Sequence, residues 1–129
     1  MLETVKYRGN SVLARRLKEA RLRLGVSQEK LGRLAGIDES SASARMNQYE
    51  RGKHSPDFSL MQRLARILNM PVSWFYTDDD DMARMLEIFF RLDAGDRKRL
   101  LALAEALQAH KAQEPSPCTA DAAPPLLRA

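Results

Sequence analysis

Apolar positions recur at helical spacing through most of the chain, and no segment shows the two-residue alternation of a strand. Leu13, Leu17, Ala20 and Leu24 form one stripe from about Ser11 to Leu24, with Arg15, Arg16, Lys18, Arg21 and Arg23 mostly on other faces. Gly25 ends this helix. Ser27 is suited to cap a short second helix whose buried face reads Leu31, Leu34 and Ala35 and which stops at Gly36. Asp38 opens a third, Glu39 to Arg51, with Met46 and Tyr49 facing inward and Gly52 as its stop. The stripe Leu60, Leu64, Ile67 and Leu68 predicts a fourth helix from about Phe58, blocked by Pro71, and Val72 to Tyr76 a short fifth carrying Trp74 and Phe75 into the core. A sixth follows Asp78 to Asp81 with Met82, Met85, Leu86 and Phe89 apolar. A seventh carries Leu100, Leu103, Ala104 and Leu107. Beyond about Gln113, four prolines among small residues predict a disordered tail.

The pattern therefore predicts an all-α chain with an arm at 1–10, a helical domain at 11–77, a helical hairpin at 78–111 and a tail at 112–129. At 129 residues there is room for one domain and a small appendage, which excludes most multidomain enzymes. No apolar run reaches the roughly 18–20 residues of a membrane span, and the first residues lack the apolar stretch of a signal peptide, so a cytoplasmic location is expected. The single cysteine, Cys118, agrees with a reducing compartment.

The net charge of +4 conceals a partition: residues 1–76 hold 14 basic against 7 acidic side chains, or +7, and residues 77–129 hold 7 against 10, or −3. A basic amino-terminal part of this kind attracts a polyanion, and nucleic acid is the leading candidate. Two short helices joined through Gly36 inside a bundle of about five are the arrangement in which the first helix braces and the second enters the major groove of DNA.

Specific residues carry the same reading further. Arg21-Leu22-Arg23-Leu24-Gly25-Val26-Ser27-Gln28-Glu29-Lys30-Leu31, then Leu34-Ala35-Gly36-Ile37, Gln48-Tyr49-Glu50-Arg51-Gly52-Lys53, Pro56 and Leu64-Ala65-Arg66-Ile67-Leu68 follow one another in order. In this the chain resembles the phage-repressor and Cro-like transcriptional regulators of the xenobiotic-response-element (XRE) type, over residues 11–76. The resemblance implies a lambda-repressor-like five-helix DNA-binding domain, here followed by the hairpin, and a sequence-specific transcriptional regulator, a repressor in preference to an activator because repression needs only occupancy of a promoter. From Gly36 to Glu50 is 14 residues, about one helical turn more than the resembled proteins use, which reads as an extra turn at the start of the recognition helix. Anchored on Glu50, the groove-facing positions that the resemblance implies are Ser43, Ala44, Arg45, Asn47 and Gln48, and Arg21 and Glu50 match a pair that forms a partly buried bridge.

Residue chemistry agrees independently. Asn and Gln can pair with adenine and Arg with guanine, while small Ser and Ala let the helix approach the bases. Ser27, Gln28, Arg51 and Lys53 are candidates for phosphate contacts, which set register without reading sequence. The helices at 78–111 carry more apolar surface than a hairpin lying on a small domain needs to bury, so Met85, Leu86, Phe89, Phe90, Leu100, Leu103 and Leu107 are the expected dimerisation surface of a homodimer on a palindromic double-stranded site. The same surface fits a second class of function, an antitoxin-like or other interaction module whose carboxy-terminal helices bind a partner protein. No metal, cofactor or enzyme activity is expected: Asp78 to Asp81 read as helix-start carboxylates, His54 and His110 are isolated, and no nucleophile and base stand at catalytic spacing.

Overall fold

A computed structural model of the protein describes residues 2–113, with side chains from Val12 onward. They form α1 (Leu2–Leu24), α2 (Gln28–Leu34), α3 (Glu39–Glu50), α4 (Phe58–Leu68), α5 (Val72–Phe75), α6 (Asp80–Arg91) and α7 (Ala94–Gln113), with no strand among the described residues. Within the expected arm at 1–10, residues 2–10 are helical and belong to α1. No proline interrupts it, and a lone Gly9 costs only about 1 kcal/mol, which a long helix tolerates. Of the expected tail, 112 and 113 close α7, and 114–129, Cys118 included, lie outside the described residues.

Chain contacts divide the protein after Arg91 into two compact units. The first unit includes α6, which is tied to α1 through Arg16 and Arg23. In the first unit Leu17, Leu31, Met46, Met61, Leu64, Trp74 and Phe75 are fully buried, so every helix from α1 to α5 delivers a large side chain to one core. Each contributes about 1.5–3 kcal/mol through the water it sheds. Trp74 and Phe75 close the core edge to face, with ring centroids 5.1 Å apart. Leu24 and Leu34, expected in the buried stripes, are about half exposed, because each ends its helix beside a glycine turn where the chain leaves the core.

The caps are specific. Ser27 accepts from the Lys30 amide at 3.0 Å and Asp57 from the Leu60 amide at 2.8 Å, each at the start of its helix. Asp38 starts α3 but takes the Ser40 hydroxyl on its carboxylate in place of a backbone amide. The aspartate run is dispersed over three tasks: Asp79 caps the Met82 amide at 2.9 Å, Asp78 faces Arg15 at 3.7 Å, and Asp80 pairs with Arg16 at 3.1 Å. Among the described residues no group of three or more His, Cys, Asp or Glu side chains is gathered as a metal site.

On α6 only Ala83 is buried, and charge does much of the docking. The Arg16 hydrogen bond is the foremost cause holding the Asp80 carboxyl below its usual range, with the Arg15 and Arg16 charges adding to it against some desolvation. Partial burial pushes Glu87 up, but Arg23 and Arg91 together outweigh it and leave that carboxyl low as well. Both groups titrate lower folded than unfolded. Their contribution is therefore full at neutral pH and is lost as pH falls through the lowered folded values. Acidification below about pH 4 should strip hydrogen-exchange protection from α6 before α4, which is seated by apolar burial; simultaneous loss in both helices would contradict this.

Candidate nucleic-acid interface

The geometry of α2 and α3 begins with two glycines. Gly36 adopts φ +94°, a left-handed turn that lets the Ile37 amide return to the Gly32 carbonyl at 2.9 Å and swings the chain into α3. Gly32 serves a different purpose: a β-carbon there would lie 2.9 Å from Ala42 Cβ, 3.1 Å from the Ala42 carbonyl oxygen and 3.1 Å from Met46 Cγ. The two helices thus cross almost backbone to backbone. Gly32→Ala should displace α3 and destabilise the first unit by about 1–2 kcal/mol, overpacking outweighing the helix propensity gained, as urea denaturation would show. An unchanged or raised midpoint would show that the crossing is slack.

A polar cluster then fixes the carboxy-terminal end of α3. Arg21 places Nε 2.6 Å and Nη2 3.0 Å from the two oxygens of Glu50, and its Nη1 donates to the Val26 carbonyl at 3.0 Å. The side chains are 12% and 2% exposed, so this fork lies in a poorly hydrated seam. Gln28 donates to Glu50 Oε1 at 3.1 Å and to Asn47 Oδ1 at 3.3 Å. Four sequence-selected residues, Arg21, Gln28, Asn47 and Glu50, therefore meet in one brace. Both amide hydrogens of Gln28, a candidate for a phosphate contact, are engaged within the fold. Asn47 accepts from Gln28 on Oδ1 and keeps its own amide donors.

Ala42, Met46 and Tyr49 face the core, which leaves Ser43, Ala44, Arg45 and Gln48 exposed and Asn47 half-buried. Helical periodicity puts Ser40, Ala44, Asn47 and Arg51 along the side opposite the core, with Ser43 on one flank and Gln48 on the other. Arg45 lies nearer the Tyr49 edge. It donates to Tyr49 Oη at 2.9 Å, its guanidinium 6.0 Å from that ring, so it is held at the flank of the stripe and not at its centre. Arg51 and Lys53 are exposed in the turn after α3, where the Lys53 amide closes on the Gln48 carbonyl at 3.0 Å around Gly52, φ +74°. Ser27 is exposed at the start of α2, with its hydroxyl used as the cap.

Two residues passed over in the sequence belong to this framework. Ser40 extends the outer stripe of α3 by one turn, and the four-residue step to Ala44 was the available signal. Arg63 on α4 donates Nε to the Ala35 carbonyl at 2.9 Å and so fastens the turn between α2 and α3; its pattern of exposed Arg among apolar neighbours carries no such sign. Of the expected dimerisation residues, Met85, Phe89, Leu103 and Leu107 are exposed, and Leu86, Phe90 and Leu100 are half-buried. None of the helices among the described residues is long and apolar enough to cross a membrane.

Residues 17–75, the span holding this assembly, match the helix-turn-helix family. The chain is 40% identical over 63 residues to uncharacterized HTH-type transcriptional regulators of Sinorhizobium medicae (strain WSM419) and Rhizobium meliloti (strain 1021). That stretch is 49% of this chain and 42% of each relative, so the likeness spans less than half the length of those proteins. The crystal structure of the transcriptional regulator BswR superposes with a TM-score of 0.71 at 43% identity, covering 75% of this chain and 96% of that one. A likeness of this extent, with the Gly36 turn and the braced third helix in place, shows that the chain belongs to the XRE-type helix-turn-helix family.

Proposed function

We propose that this protein is a transcriptional regulator that binds double-stranded DNA sequence-specifically and acts as a repressor, with α3 in the major groove. The observation that carries the reading is the outer side of α3. Its exposed Ser43, Ala44, Arg45 and Gln48 and half-buried Asn47 are polar or small, and the helix behind them is immobilised by the Arg21–Glu50 fork and the Gly32 crossing. A solvated helix face needs no such bracing; a reading head does, since a base contact fails when donors are misplaced by a fraction of an ångström. Ser27, Arg51 and Lys53 at its edges are the phosphate-contacting positions of this reading. Selection from a random DNA pool should return one preferred sequence with two-fold symmetry; a pool with no enrichment would overturn the proposal. Lys53→Ala and Arg51→Ala should each weaken all sequences alike and reduce the slope of log affinity against log salt by about 1.

The two-fold symmetry follows from α6. Its exposed side carries Met82 (62% exposed), Met85 (50%), Ile88 and Phe89; Asp80 and Glu87 are engaged with Arg16 and Arg23 of α1 and Arg91 with the Asn69 carbonyl, while Asp81 and Arg84 are exposed. An amphipathic helix that leaves this many large apolar side chains outward, beside only Asp81 and Arg84, is prepared for another largely apolar surface. A second copy meets this need with the same stripe, and pairing joins two half-site contacts into one recognition event. Met85→Glu with Phe89→Glu should convert a sedimenting dimer into a monomer while the thermal unfolding of the first unit stays within a few degrees. A wild-type chain that is monomeric at micromolar concentration would remove the homodimer from the proposal and favour a partner protein on the same face.

A further inference from the structure

The connection from α5 to α6 is short and is held by one buried cation. Between Phe75 and Asp80 lie only four residues, and the carbonyls of two of them converge on Arg16. Arg16 donates Nε to the Thr77 carbonyl at 3.1 Å, and its Nη2 reaches the same oxygen at 2.8 Å, the Asp78 carbonyl at 3.3 Å and Asp80 Oδ1 at 3.1 Å. The residue is 3% exposed, and its guanidinium lies 5.1 Å from the Trp74 ring. A flexible hinge gives its carbonyls to water. Here they are given to a side chain of α1 that is packed against the core tryptophan.

The rest of α6 is tied in the same manner. Arg23, 5.6 Å from the same ring, donates to both oxygens of Glu87 at 3.1 and 3.2 Å, and Arg91 reaches back to the Asn69 carbonyl at 3.2 Å. With Ala83 as the one buried residue of α6, apolar packing alone would leave the helix free to roll or tilt. Directional hydrogen bonds at its start, middle and end set its angle instead.

We propose that Arg16 is a positioning residue for DNA recognition: by fixing the direction in which α6 leaves the helix-turn-helix body, it sets the separation of the two α3 helices in the dimer and hence the half-site spacing that the protein accepts. This rests on the reading that α6 pairs between copies. One added base pair moves a half-site by about 3.4 Å along the duplex and turns it by roughly 35°, more than a pinned helix can follow without losing a contact set. A loosened α6 follows it.

The test compares the selected operator, the same operator with one base pair inserted at its centre, and a single half-site, against the full chain and its Arg16→Lys and Asp80→Asn variants. Lysine keeps the charge but lacks the fork; Asp80, largely exposed, can be neutralised without threatening the core. The wild type should prefer the original spacing by at least about tenfold, and Arg16→Lys should reduce this to less than about threefold while keeping half-site affinity, dimer mass and helix content. Asp80→Asn should move discrimination in the same direction by a smaller amount, and it decides alone if Arg16→Lys does not fold. Unchanged discrimination in folded, dimeric variants overturns this inference and leaves the dimer standing. A monomeric wild type overturns the dimer reading and this inference with it, and a dimeric wild type indifferent to spacing overturns this inference alone.

Discussion

Arg21→Ala is expected to destabilise the first unit by about 3–5 kcal/mol, because it strips a nearly fully buried carboxylate of its forked cation. Glu50 would keep only the Gln28 amide, and a charge in that seam with a single donor carries an uncompensated desolvation cost. Removing the other partner is milder. Glu50→Ala leaves a guanidinium that is 12% exposed on a long arm, able to reach solvent while still holding the Val26 carbonyl, so a loss of about 1–3 kcal/mol is expected. The pairing of a large and a small effect distinguishes a buried-charge penalty from simple loss of a contact, and urea denaturation of both variants reads it. Equal small losses would mean that the seam is open to water. Arg21→Met with Glu50→Leu should regain much of the stability, yet the register of α3 would then rest on Gly32 and the core alone, and sequence discrimination should still fall.

Asn47→Ala combined with Gln48→Ala is expected to reduce affinity for the selected sequence by about 2–6 kcal/mol, since each lost base contact costs about 1–3 kcal/mol. Binding to unrelated DNA should hardly change, because the charges of Arg51 and Lys53 remain, so the ratio of specific to non-specific affinity collapses. The two substitutions are unequal in kind. Gln48 is exposed on the side of α3 away from the brace, whereas Asn47 also accepts from Gln28, so the Asn47 effect includes a loss of positioning. Gln48→Ala alone should therefore relax one base position with stability unchanged, and Asn47→Ala should lower both affinity and stability. If the double variant selects the same sequence as the wild type, the recognition role of this part of α3 is wrong.

All seven helices were legible in the chain, for a local reason. Helical spacing of apolar residues, punctuated by Gly25, Gly36, Gly52 and Pro71, marks each helix and where most of them end without knowledge of its neighbours. The longer start of α3 could be counted from the 14-residue step from Gly36 to Glu50, and α3 forms as one continuous helix from Glu39. The start of α1 was misjudged because residues 2–10 lack an apolar stripe, and the absence of a stripe is not a break.

What the sequence by itself determined is therefore the set of helices, the core residues of most of them and the family, because propensity, periodicity and turn chemistry act over a few residues at a time. Which polar groups meet was decided only by the tertiary structure. Gln28 and Asn47 are 19 positions apart and Arg16 and Thr77 are 61 apart, and nothing in their own surroundings marks them as partners. A hydrogen bond depends on distances of a few tenths of an ångström, and these are set by how the helices pack after the core has closed. For that reason the chain alone does not show that Gln28, a candidate phosphate ligand, is also part of the brace, or that Arg16, beside Leu17 of the buried stripe of α1, is the tie that holds α6.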